Sequence, residues 1–365
     1  MTARHHLFQV FLIVFLFATG CKKDHGTKAG SAEAEMTSFK IAGKDAVVDI
    51  QPTLEAVKVR LQDDVLDASN LVAEFAASAG SDISVNGVRQ QSGSTSNNFE
   101  SIVPYKVSSE NGVASKTWMV SATNNDITTK YGMGQILKSA KSNDRDYGWY
   151  MDQGTTGTYA YVNCGPTSVT MAIKWADAGF TGIPQDARAA HFNGGGWWYN
   201  SDITSYLGAN SISNATIGLG INAEDTWNRL KRQLDFGRVL ILIVDMHQIS
   251  SEDPANSSAR VGKFYHTTQG WGHIFVVKGY RNVDQQHFLQ VYDPYSIGAT
   301  YTLDDNSPKG KDRYYSFTDV YNASVNWWNY AIIVVPKGTV IDHSTLRSAL
   351  PEASIPRSPE PMQGH

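Results

Sequence analysis

Cysteine is nearly absent from these 365 residues: two occur, too few for the disulfide framework on which small secreted domains rely. Proline is sparse at 12 residues, and the 31 glycines follow no collagen period. Charge is thin as well. Asp, Glu, Lys and Arg make up 18% of the chain, below the roughly 25% of an average soluble protein. The net charge of −4 leaves no electrostatic case for a nucleic-acid surface. No apolar run is long enough for a transmembrane helix, and neither a nucleotide-binding glycine motif nor an internal repeat occurs. Hydrophobic and aromatic side chains, at 41% and 11%, are present in quantity: one or two sizeable cores can be buried and wholesale disorder is excluded.

At the N-terminus, Arg4, His5 and His6 precede an apolar run from Leu7 to Phe17 that is broken by Gln9. Its length suits the apolar region of a signal peptide and is too short for a permanent anchor. Ala18, Thr19 and Gly20 then lead into Cys21. Small residues before a cysteine resemble a bacterial lipoprotein signal, although Ala18 stands where that family usually has Leu. The resemblance implies cleavage after residue 20 and lipidation of Cys21; ordinary secretory cleavage is the alternative. Residues 21–36 are polar and rich in Gly, Ala, Lys and Glu, as a flexible tether would be. The expected location is the bacterial cell envelope, anchored by lipid on the periplasmic or cell-surface face of the outer membrane.

Between about residues 37 and 122 the pattern is β. Val57, Val59 and Leu61 alternate with Lys58 and Arg60, as in a strand with one wet face. Tyr105 and Val107 lead through Asn111-Gly112, a hairpin turn signal, to Thr117, Trp118, Met119 and Val120. This reads as an all-β sandwich. Val85-Asn86-Gly87-Val88, Gln91-Ser92-Gly93, Tyr105-Lys106-Val107 and the Trp118 strand, in that order, resemble the immunoglobulin-like modules of bacterial surface proteins. The resemblance implies a spacer or binding module. The segment contains no His or Cys, and its carboxylates are scattered. The polar stretch 123–141 reads as a linker, 142–337 as a second domain and 338–365, with Pro351, Pro356, Pro359 and Pro361, as a disordered tail.

The second domain carries the chemistry. If Cys21 is lipidated, Cys164 is the one free thiol left, and it opens Cys164-Gly165-Pro166-Thr167-Ser168. Pro166 suits the first turn of a helix. Val169, Ala172, Ile173 and Ala176 recur at helical spacing and Gly179 is a stop signal, so a helix is expected from about 165 to 178. Unsatisfied N–H groups and the positive end of the helix dipole at that N-terminus favour a thiolate. A thiolate needs a general base. His273 sits at the start of an apolar strand pattern, Gly272 to Tyr280, and a further strand from His287 ends at Asp293-Pro294. A carboxylate there can orient an imidazole as the third member of a triad.

Cys164-Gly165-Pro166-Thr167-Ser168, Gly272-His273 and Asp293-Pro294, in that order, resemble the C39-like branch of papain-fold cysteine peptidases over roughly 147–335. The resemblance implies an α+β papain-like domain behind the immunoglobulin-like sandwich. It assigns Cys164 as nucleophile, His273 as general base and acid, and Asp293 as the orienting carboxylate. The family's oxyanion-donating Gln precedes its cysteine; Gln153, eleven residues upstream, is the candidate and Asn163 a weaker substitute. Rivals remain: His266 or His247 as base, and a zinc site from His266, His273 and Asp293, whose spacing is not characteristic of metal ligands. Asp304, Asp305 and Asp312 read as a solvated hairpin, and Trp197, Trp198, Tyr199 and Trp271 as core packing or as a cleft wall beside Gly194-Gly195-Gly196.

The expected function is lipid-anchored, extracytoplasmic hydrolysis of peptide or amide bonds through a Cys-His-Asp triad. It needs no cofactor and no metal, takes a peptide or protein substrate, meets the membrane through its lipid and binds no nucleic acid. A non-catalytic surface binding module, or an amidase or acyltransferase on the same fold, is the alternative.

Overall fold

The structure is a computed structural model that describes residues 30–61, 68–124, 126–325 and 327–346. The leader at 1–20, Cys21 and the tail beyond 346 lie outside the described residues.

The first half is built from β1 (Met36–Ile41), β2 (Ala46–Gln51), β3 (Ala56–Leu61), β4 (Leu71–Ala77), β5 (Asp82–Val85), β6 (Val88–Arg89), β7 (Ser96–Asn97), β8 (Val103–Ser108) and β9 (Ser115–Asn124). Two sheets form, one in the order β1-β4-β7 and one in the order β2-β3-β9-β8-β5-β6. The pairing of β3 with β9 is parallel, and every other pair in these sheets is antiparallel. Alternation decides which side faces in: Val57, Val59 and Leu61 are buried with Phe39, Tyr105, Trp118 and Val120 in one shared core. The β8–β9 turn places Gly112 at φ 71°, the left-handed region in which glycine is unstrained.

Three boundaries differ from the sequence reading. The end of the tether is part of the sandwich: Ala34 and Met36 are buried in its core, and the Ser31 N–H donates to Glu110. The stretch read as a linker contains α1 (Asp126–Lys130) and β10 (Leu137–Ser142). Its polar look comes from residues such as Lys138 and Lys141 on a strand paired along one side, while Met133 and Leu137 are buried with Val283, Phe288 and Tyr314. The start of the tail also packs: Ile341 is buried in the core, and Thr345 accepts hydrogen bonds from Arg238 and Gln233.

The second half adds α2 (Cys164–Ala176), α3 (Pro184–Ala190), α4 (Asn200–Ala209), β11 (Asn214–Gly218), α5 (Ala223–Asp235) and β12 (Val239–Asp245). It ends with β13 (Gly272–Val283), β14 (Gln286–Tyr292), β15 (Arg313–Ser316), α6 (Phe317–Val325) and β16 (Tyr330–Val334). These strands form an antiparallel sheet, β11-β16-β12-β13-β14-β15, with β10 paired to the second half of β13. Helices cover both faces, and central strand β12 is buried along its whole length. In β12, Val239, Ile241 and Ile243 join the core with α2 and α4, while Leu240, Leu242 and Val244 join the core with α5 and α6. Helix α5 is capped by Asn222, whose side chain accepts from the Asp225 N–H, and it turns Trp227, Leu230 and Leu234 inward.

Candidate active site

The helix that begins at Cys164 lies against the sheet over most of its length, and 12 of its 13 residues are buried. Two contacts fix its first turn. The Ser168 hydroxyl donates to the Ile274 carbonyl at 2.9 Å, which ties the helix to β13 one residue beyond His273. Gly165 lies so close to Trp198 that a Cβ there would stand 2.6 Å from the Trp198 Cβ. The residue after the cysteine is thus small because an indole-bearing loop is packed on it.

His273 enters from the start of β13 and Asp293 follows the last residue of β14. The two meet: His273 Nε2 donates to Asp293 Oδ1 at 2.7 Å. A carboxylate accepts, so Nε2 carries the hydrogen and Nδ1 is left for a partner on the far side of the ring. Cys164 is near enough to favour the charged ring, through its own charge and a hydrogen bond, after the larger effect of Asp293. Cys164, His273 and Asp293 are 4%, 2% and 0% exposed, so the constellation is shielded from water.

Asp293 is saturated with donors. Oδ1 also accepts the Tyr295 N–H at 2.8 Å, and Oδ2 accepts the Tyr265 hydroxyl at 2.9 Å and the Tyr315 hydroxyl. Burial, with the Asp293 charge, pushes both phenols well up, so they remain donors. Burial alone would raise the Asp293 carboxyl, but the His273 charge and hydrogen bond, with those of Tyr315 and the Tyr295 N–H, hold it at about 2. Burial likewise opposes a charge on His273, yet Asp293, with smaller contributions from Cys164, lifts it from 6.5 to about 10. Asp293 thus favours the charged form of the buried ring.

Gln153 is drawn to the same place. Its backbone N–H donates to the Pro294 carbonyl at 2.8 Å, and its Nε2 donates to the Ala160 carbonyl at 2.8 Å, four residues before Cys164. One amide hydrogen remains. Asn163 differs: its Oδ1 accepts from Arg188 and its Nδ2 donates to Thr156, so its side chain is committed to structure and not to an oxyanion. Of the rival bases, His266 is exposed, and it is its neighbour Tyr265 that reaches Asp293. The His247 N–H caps onto Asp245 at 3.0 Å. The three-ligand zinc set does not assemble, since His266 is not among the partners of this pair. Asp304 and Asp305 are engaged by Arg260.

The aromatic residues divide. Trp198 is buried against His191 and Tyr206, whereas Trp197 and Trp327 approach Gly272 beside His273. Asp245 faces Gly272 in register, and a cleft of about 310 Å³ lined by Asp245, Gln248, Asn322, Ala323 and Trp327 opens there. Sequence reasoning missed Tyr265, Tyr315 and Arg188. The two phenols converge on Asp293 from a loop and from β15, and no local spacing announces such a meeting; Arg188 sits in an alanine-rich helix without a partner in its own segment.

Residues 149–325, just under half of the chain, match the model of the Peptidase_C39 like family, and this span contains Gln153, Cys164, His273 and Asp293. No curated protein matches significantly. Among solved structures, a Bacillus anthracis protein described as a C39-like peptidase is 17% identical, with 49% of this chain and 90% of that one covered at a TM-score of 0.30. A Bacteroides fragilis protein described as secreted is 16% identical over 26% of this chain and 98% of its own, at a TM-score of 0.22. A Bacteroides thetaiotaomicron protein described as a glycoside hydrolase is 12% identical over 85% and 97%, at a TM-score of 0.23. The segment 149–325 is thus similar to the C39-like peptidase family and has a peptidase-like fold.

Proposed function

We propose that the chain is a cysteine peptidase of C39-like type that cleaves peptide or amide bonds through Cys164, His273 and Asp293. The observation that carries this reading is the buried His273–Asp293 pair, 2.7 Å apart, on the strand to which the first turn of the Cys164 helix is tied through Ser168 and Ile274. The Cys164 sulfur attacks the carbonyl carbon, forming a C–S bond. His273 then gives its proton to the departing nitrogen as the C–N bond breaks, leaving a thioester and a neutral ring. A water molecule, deprotonated by His273, attacks the thioester; the acid leaves, the C–S bond breaks and the thiolate–imidazolium pair returns. Asp293, held in place by Tyr265, Tyr315 and the Tyr295 N–H, keeps the ring oriented and stabilises its charge. Negative charge developing on the carbonyl oxygen would meet the N–H groups at the start of α2 and the remaining amide hydrogen of Gln153.

Export and anchoring through a lipid on Cys21, with residues from about 30 to 124 as an immunoglobulin-like spacer, complete the proposal. Among the described residues no helix is long and apolar enough to cross a membrane.

The test is digestion of a defined peptide mixture, with products read by mass spectrometry. The parent is expected to create new termini and Cys164→Ala none. Products from both proteins alike, or from neither, would count against the assignment. Retention of intact peptides on both would point instead to a binding module, and products extended by an added amine to a transferase.

A further inference from the structure

Arg188 lies in α3 and is 4% exposed, yet the acceptors it reaches among the described residues are all uncharged. Nε donates to Asn163 Oδ1 at 2.8 Å, Nη2 to the Val162 carbonyl at 2.9 Å, and Nη1 to the carbonyls of Gly196 at 2.9 Å and Phe192 at 3.4 Å. Burying a guanidinium without a carboxylate is costly, and such groups are rarely fully buried unless paired. The acceptors are not random. Val162 and Asn163 lead into Cys164, and Phe192 to Gly196 form the loop that delivers Trp197 and Trp198 to the site. Gly195 and Gly196 take φ of 85° and 134°, a backbone shape that needs glycine, so this loop is built to present its carbonyls inward.

Burial works against the charge of Arg188, and the neighbours that favour it are Cys164 first, then Asp202 and Tyr159. Asp202 is otherwise engaged: its carboxylate accepts the Tyr199 N–H at 2.8 Å and faces His191 at 3.7 Å.

Resting on the proposed Cys164–His273 pair, we infer that Arg188 is a positioning residue and the second cation of the site. It holds the segment before Cys164 against the glycine loop and sets a fixed positive charge beside the thiolate. A second cation has a chemical use. His273 loses and regains its proton during turnover, whereas a guanidinium stays charged in every state, so the thiolate meets a fixed positive group whenever it forms. The planar fork also explains why arginine stands here: four acceptors in two segments are met by one rigid group.

The experiment uses the full chain carrying Cys21→Ser, so that one thiol reports. The rate of iodoacetamide alkylation of Cys164 is measured at about pH 6 and about pH 10, where an ordinary thiol is respectively protonated and ionised. Dividing the first rate by the second cancels differences in access. Arg188→Gln is expected to lower this ratio about tenfold, the effect of about one unit of electrostatic stabilisation, and Arg188→Lys to keep it within about threefold. Arg188→Gln that slows both rates equally, or leaves both unchanged, would overturn the inference. Should Arg188→Gln not fold, Arg188→Lys is compared with the uncharged Arg188→Met: a ratio at least about threefold higher for Lys is expected, and equal ratios would overturn the second cation. A ratio that drops in His273→Ala but not in Arg188→Gln leaves the pair standing and removes Arg188; a ratio insensitive to His273→Ala removes the pair itself.

Discussion

Replacing Asp293 with Asn isolates what keeps His273 charged. Asn preserves the shape of the side chain but turns one oxygen into a donor, and it does so where four donors converge: His273 Nε2, the Tyr295 N–H and the hydroxyls of Tyr265 and Tyr315. At least one donor then faces another, and the buried ring loses its counter-charge. Breaking a buried ion pair by removing one partner costs about 3–5 kcal/mol. The pH dependence carries a sign. The raised His273 stabilises the fold fully below 6.5, and this contribution is lost as pH rises through about 10. The depressed Asp293 stabilises above 3.8, and that contribution is lost as pH falls through about 2. The gap between parent and Asp293→Asn is therefore widest between 3.8 and 6.5 and closes toward 10. Urea unfolding followed by tryptophan fluorescence reads it, because eight of the nine tryptophans lie from Trp149 onward. A gap below about 1 kcal/mol at about pH 5.5, against the 3–5 expected of a broken buried pair, or one that persists unchanged at pH 9.5, would refute the reasoning.

Three further substitutions follow from the packing. Gly165→Val places a side chain inside the Trp198 indole, whose Cβ is 2.6 Å from where the new Cβ must sit; a loss of about 1–3 kcal/mol and slower alkylation of Cys164 are expected by thermal melting and mass spectrometry. Tyr315→Phe removes one donor from Asp293 and should cost about 1–3 kcal/mol, with the acid limb of the stability profile moving to higher pH, as seen in urea titrations below pH 4. Lys278 is fully buried, is paired with Asp144 and Asp312 and stands 4.1 Å from the centre of the Tyr292 ring. Lys278→Ala removes the buried side chain packed on Tyr292 and should lose about 2 kcal/mol through the cavity it leaves, by the same urea assay.

The parts of the site legible in the sequence were those with local pattern. Pro166 and the 3.6-residue recurrence of Val169, Ala172 and Ile173 mark a helix behind Cys164, and the apolar run after Gly272 marks the strand that delivers His273. Asp293 is visible because a strand pattern stops there. What the sequence could not show depends on contacts between distant segments. Tyr265 and Tyr315 meet on one carboxylate oxygen across the fold. Gly310 looks like loop filler, yet a Cβ there would lie 2.0 Å from the Asp293 carbonyl oxygen. The stretch before β10 looked like a linker because its strand has one paired edge and a lysine-bearing wet side, a pattern that polarity alone cannot tell from coil.

The central claim is that Cys164 and His273 act as one unit. It is tested most directly by comparing the rate at which iodoacetamide alkylates Cys164 at about pH 6 in the parent and in His273→Ala, each in the Cys21→Ser background. The account predicts a parent at least tenfold faster, because the imidazolium beside the thiol favours the reactive thiolate. Equal rates in the two proteins would contradict it.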